Sequence, residues 1–242
     1  MSRTPDAFDD ESPAPVVRFE GVRATAGQDP AAPEISFTVR AGGLYLLAGP
    51  AGAGKSAVLD LIGLNARHAR GKIALFDRDV TRLRPREVPF MRRRIGRVFQ
   101  DLRLDDDLTV FDNVAMAVRA TGRPAEDSRH QIAEVLAWLG LGTQMGKRPK
   151  RLCVIDQRRL AIARALINRP TLVIADEPTS EVDGSAAAAL LRPLIDVNRV
   201  GTTVLIASRR TELLADAGAT VITLAPPLPA PPRPDVVQGT TS

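Results

Sequence analysis

Aromatic residues make up only 4% of this 242-residue chain, with one tryptophan and one tyrosine, and cysteine occurs once, at Cys153. A single cysteine excludes an internal disulfide and fits a reducing compartment. So few aromatics leave no set of stacking platforms for single-stranded nucleic acid, and no nucleic-acid partner is expected. No apolar run approaches the roughly 18 to 20 residues that a membrane-spanning helix needs. Met1 to Pro15 is acidic and polar rather than basic and then apolar, unlike a secretory leader. These absences predict a cytoplasmic protein that at most rests on a membrane surface.

The chain is 44% hydrophobic, which at this length suits one α/β domain with a sizeable core. The formal charge of +5 is mild but unevenly placed. Arg82, Arg84, Arg86, Arg92, Arg93, Arg94 and Arg97 crowd one stretch, and Lys147-Arg148-Pro149-Lys150-Arg151 forms another. Attraction to an anionic leaflet, attraction to acidic partner segments and a merely solvated helix face are all open readings of these runs.

The most informative segment is Gly49-Pro50-Ala51-Gly52-Ala53-Gly54-Lys55-Ser56, followed by Ala57. It fits G-x-x-x-x-G-K-[ST] and lies between an apolar strand-like run, Leu44 to Ala48, and a helical one, Lys55 to Leu64. That order aims backbone N–H groups and the positive end of a helix at a polyphosphate. The glycines let the backbone turn tightly, Lys55 reaches the β- and γ-phosphates, and Ser56 offers a hydroxyl to Mg²⁺.

Further along, Leu172-Val173-Ile174-Ala175 reads as a buried strand ending in Asp176 and Glu177. This places Asp176 in the Mg²⁺ shell and Glu177 beside the γ-phosphate, as a base for an attacking water. N-K-x-D, which reads guanine, does not occur, so ATP is favoured.

Val16 to Phe19 and Glu34 to Val39 alternate like strands of a half-exposed antiparallel layer, with a loop at 27–33 between them. Strands are also predicted at Ile73 to Phe76, Ile95 to Phe99, Thr171 to Ala175, Thr203 to Ala207 and Thr220 to Leu224. Helices are predicted at Glu87 to Arg94, Val110 to Arg119, Ala125 to Leu139, Asp156 to Ile167 and Ala186 to Asn198. The fold class is therefore α/β, a P-loop NTPase with a mainly parallel core sheet, an N-terminal antiparallel layer and a helical subdomain at about 101–168. Residues 1–15 are expected to be a disordered N-terminal segment and 225–242 a Pro-rich disordered tail, leaving 16–224 as the domain.

With these motifs in place, the chain resembles the ATP-binding-cassette (ABC) ATPases, and more narrowly the FtsE family of bacterial cell-division cassettes. The resemblance runs from about Val16 to Leu224. Beyond the phosphate loop and the carboxylate pair, it rests on Ile95-Gly96-Arg97-Val98-Phe99-Gln100-Asp101, Thr109-Val110-Phe111-Asp112-Asn113-Val114 and Asn198-Arg199-Val200-Gly201-Thr202-Thr203-Val204-Leu205. It implies that Gln100 contacts Mg²⁺ and relays nucleotide state to a membrane partner, and that Asp183 lies at a dimer interface. It also implies two copies facing head to tail around ATP and Mg²⁺, an FtsX-like integral membrane protein as partner, and a peripheral position on the inner face of the plasma membrane. Catalytic roles then fall to Glu177, Lys55 and Gln100, metal binding to Ser56, Gln100 and Asp176, and nucleotide binding to residues 49–57.

Several positions depart from that family. Where its signature reads L-S-G-G-E/Q-Q, this chain has Leu152-Cys153-Val154-Ile155-Asp156-Gln157. A weak thiol donor and two β-branched side chains replace the serine and glycines that close on the γ-phosphate of the other subunit. The switch histidine is Arg209, which stays charged and only donates; in its place it would donate to the γ-phosphate. The aromatic that stacks on adenine falls near Ala26, and Ala51 and Ala57 replace hydroxyls. The expected function is an ATP-binding subunit with slow hydrolysis, with a non-hydrolysing division scaffold or an exporter ATPase as alternatives.

Overall fold

In the computed structural model, residues 13–23, 33–66 and 70–225 are described. The expected N-terminal segment before residue 13, the loop at 27–32, Ala26 and the tail beyond Ala225 lie outside them. In chain order the elements are β1 (Pro15–Val22), β2 (Ile35–Arg40), β3 (Leu44–Ala48), α1 (Lys55–Ile62), β4 (Lys72–Leu75), β5 (Arg78–Asp79), α2 (Val88–Arg92) and β6 (Ile95–Val98). Then follow α3 (Val110–Arg119), α4 (Arg129–Trp138), α5 (Val154–Leu166), β7 (Leu172–Asp176), α6 (Gly184–Arg199), β8 (Thr203–Ala207), α7 (Glu212–Ala215) and β9 (Thr220–Thr223).

Hydrophobic patterning decides which strands go where. Every residue of β3, β7 and β8 is buried, the signature of strands covered on both faces. They form the centre of a five-stranded sheet ordered β6-β7-β8-β3-β9, whose neighbouring strands all run parallel. In β1, Val17 and Phe19 are buried while Arg18 and Glu20 face out, and this alternation suits a sheet with one wet side. It pairs antiparallel with β2 and β4 in a second sheet ordered β2-β1-β4-β5, where the Phe19 and Phe37 rings stack 4.7 Å apart.

The parallel sheet is the middle layer. Leu44, Leu46 and Ala48 of β3 pack on one side with α3, α5 and α6, whereas Tyr45 and Leu47 pack on the other with α1 and the antiparallel sheet. Between β6 and β7 the described elements are all helical. At the start of α3 the Thr109 hydroxyl accepts the Asp112 N–H at 3.0 Å and so caps the helix. The buried Asn113 side chain exchanges two hydrogen bonds of 2.9 Å with the Asp105 backbone, which gives the Phe-Asp-Asn-Val phrase a folding role.

Most boundaries differ from expectation by one or two residues, and α4 begins four residues late, at Arg129 rather than Ala125. Helix α5 begins at Val154 rather than Asp156, because the paired β-branched residues at 154 and 155 weaken the helical pattern although the first turn tolerates them. β5 and α7, of two and four residues, are too short to leave a periodic trace.

Candidate nucleotide site

The phosphate loop leaves β3 at Ala48 and enters α1 at Lys55. Gly49 is favoured by space as well as by its φ of +153°: a Cβ there would sit 3.0 Å from the Leu224 carbonyl oxygen and 3.1 Å from Ala53 Cβ. Gly52 and Gly54 are required by conformation alone. Their φ angles are +80° and +86°, and an added Cβ would meet nothing within 4 Å. Gly54 caps α1 with no side-chain hydrogen bond, and the first turn carries no acid, so the helix N-terminus is left open to an anion. The Lys55 side chain lies across the loop, and its Nζ donates to the carbonyls of Gly49 at 2.7 Å and Pro50 at 3.0 Å. Those carbonyls hold the ammonium ready beside the cradle.

Asp176 ends β7 and is 5% exposed; Glu177 follows and is also buried. Glu177 has φ +44°, an uncommon conformation for a side-chain-bearing residue, and its N–H donates to the Ala207 carbonyl at 2.8 Å. Burial pushes the Asp176 carboxyl above the usual range, the nearby charges of Glu177 and Asp60 add to this, and the Ser56 hydroxyl and Arg97 oppose it. Asp176 Oδ1 is buried without a hydrogen-bond partner. A buried, unsatisfied carboxylate oxygen beside a serine hydroxyl is a hard-oxygen donor set of the kind a divalent cation takes.

A cleft of about 390 Å³ is lined by residues 51–57 together with Gln100, Asp176, Glu177 and Arg209. One cavity therefore gathers most of the residues singled out by sequence. Gly49 and Pro50 are not in its lining; they act from behind, on Lys55.

Arginines hold this site in shape, and sequence reasoning named only Arg97 and Arg209 among them. Arg209 reaches Glu177 with its guanidinium, Nε to Oε1 at 3.4 Å, and with its backbone N–H, also at 3.4 Å. Arg210 donates to the Val182 carbonyl and to Asp183. The almost fully buried Arg158 of α5 pairs with Glu181 at 3.5 Å. The loop after Glu177 is thus gripped from two sides. Around Gln100, the guanidinium carbons of Arg97 and Arg103 lie 4.3 and 4.0 Å from the Phe99 ring centroid. Arg164 of α5 donates to the carbonyls of Leu102 and Arg103, two residues with positive φ. Only Arg97 and Arg209 stood in segments that drew attention in the sequence; the rest meet their targets through tertiary contact.

The altered signature forms the start of α5. Cys153 is its exposed, extended cap, Val154 is 45% exposed, and Ile155 and Asp156 are half-buried. Burial alone would raise the Asp156 carboxyl, but hydrogen bonds from Gln144 (2.7 Å), the Cys153 thiol and Arg159 (3.0 Å) outweigh it and hold the group below its ordinary value. Gln157 donates to the Pro149 and Leu152 carbonyls at 3.1 and 3.3 Å.

Residues 33–180 match the family described as ABC transporter. Over 210 residues the chain is 39% identical to the cell division ATP-binding protein FtsE of Escherichia coli K12, covering 86% of this chain and 95% of that one. It is 36% identical over 194 residues to FtsE of Bacillus subtilis 168, covering 80% and 82%. Among solved structures it is similar to a dimeric ATP-binding cassette in a post-hydrolysis state bound to ADP and phosphate. The TM-score is 0.78 and the identity 28%, over 86% of this chain and 94% of that one.

Proposed function

Because the chain belongs to the ABC transporter family, in its FtsE branch, we propose that it is the ATP-binding subunit of an FtsE/FtsX-like complex in bacterial cell division. ATP enters the cleft between the phosphate loop and Gln100. Two copies enclose two nucleotides head to tail; the cassette it resembles is itself dimeric and bound to ADP and phosphate. The domain spans 16–224, with a helical subdomain at about 101–168. No helix among the described residues is long and apolar enough to cross a membrane. Attachment to the inner face of the plasma membrane passes through an FtsX-like integral partner, gripped near Gln100 and the helical subdomain.

The observation that carries this reading is the convergence of the phosphate loop, Gln100, Asp176, Glu177 and Arg209 on one cleft. Main-chain amides at 51–56 and the Lys55 ammonium neutralise the phosphates. Ser56, Asp176 and Gln100 are the residues that would hold Mg²⁺, whose role is to offset charge on the β- and γ-phosphates. Glu177 orients a water and takes its proton, and Arg209 fixes the Glu177 carboxylate from one side. Hydrolysis is slow, because Val154 and Ile155 stand where the opposing subunit should donate to the γ-phosphate; one lost hydrogen bond to a charged group costs about 1.5 to 3 kcal/mol.

The test is nucleotide binding and phosphate release by purified protein, with and without the co-expressed membrane partner. We expect ATP binding in magnesium buffer and slow turnover that Glu177→Gln abolishes. Binding without turnover would favour the non-hydrolysing scaffold, motivated by Val154, Ile155 and Arg209. Failure to bind ATP would overturn the assignment.

A further inference from the structure

Behind the nucleotide cleft, α1 and β6 are joined by an enclosed ion pair. Arg97 Nη2 of β6 lies 2.5 Å from Asp60 Oδ1 of α1, and the two side chains are 10% and 36% exposed. The guanidinium carbon also sits 4.3 Å from the Phe99 ring centroid. Its Nη1 occupies the space beside Gly63, the cap that ends α1: a Cβ on that glycine would come within 2.5 Å of it. Nε and Nη1 are buried and have no hydrogen-bond partner. Enclosing a cation with two unmade hydrogen bonds costs stability, and an apolar pair of similar volume often serves a core as well or better. The bridge therefore calls for a reason other than stability.

Its position supplies one. Asp60 stands four residues after Ser56, so the two lie on the same face of α1, one turn apart. Arg97 stands three residues before Gln100, and in the parallel sheet it is in register with Ile174, which precedes Asp176 by two residues on β7. One end of the bridge is thus fixed to the element that carries Ser56, and the other to the strand that leads to Gln100, with Asp176 between them. The charges of both partners reach Asp176, Asp60 raising its carboxyl and Arg97 lowering it.

We propose that Arg97 and Asp60 are a positioning pair for the magnesium ion: their bridge sets the separation of Ser56 from Gln100 across Asp176. The inference rests on the ATP and magnesium reading above and adds the device that spaces the ligands. A fork-shaped guanidinium bonded to a carboxylate fixes direction as well as distance, which an apolar contact does not. Without the bridge, α1 and β6 can shift against each other, and the ion must organise its own ligands on binding. The phosphate cradle at 51–55 is local to one loop and does not depend on the bridge.

The experiment uses the full chain, a fluorescent ATP analogue and magnesium chloride, with thermal unfolding as a check on folding. Arg97→Met should raise the free magnesium needed for half-maximal strengthening of analogue binding by about tenfold, the low end of what losing a group that orients metal ligands does to metal affinity. Affinity for the analogue in EDTA should stay unchanged. Arg97→Lys, which keeps the charge without the planar fork, should recover part of the shift. Arg97→Met with Asp60→Leu fills the space with apolar groups and leaves no charge unpaired, so it should unfold near the wild-type temperature and still show the magnesium shift. An unshifted magnesium midpoint in that double variant overturns the proposal. So does an equal loss of affinity with and without magnesium, the mark of a bridge that only supports the fold. If magnesium strengthens binding by wild type and by every variant alike, the ATP reading stands and the positioning role falls. If the wild-type chain binds no analogue in either condition, the ATP reading falls and takes the pair's role with it.

Discussion

Helices α1 and α5 both begin where a phosphate is expected in a closed cassette dimer, and their first turns are built oppositely. α1 starts at a left-handed glycine with no side-chain cap and no acid nearby, and Lys55 leans over the opening. α5 starts at an extended cysteine followed by Val154 and Ile155, and its first-turn acid, Asp156, already accepts from Gln144, Cys153 and Arg159. A helix dipole alone does not make an anion site. The N–H groups must also be uncovered, and no resident carboxylate should compete for them.

The largest effect should come from breaking the open end. Lys55→Ala removes the one buried cation of the cradle and should weaken ATP binding by about thirtyfold or more, since truncating one partner of an enclosed charged contact costs roughly 2 to 5 kcal/mol. Fluorescent-nucleotide titration in magnesium buffer checks it. Affinity within a few-fold of wild type would remove the premise of the comparison.

Opening the closed end should have the next largest effect. Cys153→Ser with Val154→Gly and Ile155→Gly uncovers the first N–H groups of α5 and supplies a hydroxyl donor. ATP-dependent dimerisation, followed by light scattering in a Glu177→Gln background, should tighten by about tenfold or more, the worth of one regained hydrogen bond to a charged group. The two glycines cost up to about 1 kcal/mol each in helix propensity, so the same triple variant should unfold at a lower temperature even as its dimer closes better.

These two ends also mark what was readable in the chain. The phosphate loop is local: strand, turn and helix are contiguous, and Leu44 to Ala48 and Val110 to Arg119 appear at their expected bounds. The carboxylate pair was legible for the same reason, as the end of an apolar strand. The restraints on these groups were not legible, because they come from distant segments. Arg158 finds Glu181, Arg210 finds Val182 and Asp183, and Arg164 finds Leu102 and Arg103 only once α5 and β8 are packed. The basic run at 82–97 was visible as charge. That Arg93 shares a cleft with Arg123 and Arg169 depends on those two arriving from elsewhere in the chain.

A smaller effect separates two uses of Arg209. The Arg209–Glu177 contact is 3.4 Å long and the arginine side chain is mostly exposed, so the pair is worth at most about 1 kcal/mol. If holding Glu177 is its role, Arg209→Ala should lower turnover by about two- to fivefold and leave ATP affinity unchanged. A loss of affinity as well would place the guanidinium on the γ-phosphate instead. Steady-state phosphate release over a range of ATP concentrations distinguishes the two.

The smallest effect concerns what the open end costs the fold. Asp176 is buried, its carboxyl is pushed upward by that burial, and one oxygen lacks a partner. A carboxyl with a raised folded-state pKa loses its proton more readily in the unfolded chain. Stability is therefore greatest below the unfolded value and falls as pH rises from there through the folded one. Above that range its charge is a net burden on the nucleotide-free protein. Asp176→Asn removes the charge while keeping the shape, so thermal unfolding without nucleotide should rise by about 2 to 4 °C, the shift that roughly 1 kcal/mol gives a chain of this size. The gain should vanish in acid, where wild-type Asp176 is already protonated. It should also reverse with ATP and magnesium present, because the variant forgoes the stabilisation that binding confers. An Asp176→Asn protein no more stable than wild type at neutral pH would mean that the Ser56 hydroxyl and Arg97 already compensate the charge, and the open end would then place no strain on the fold.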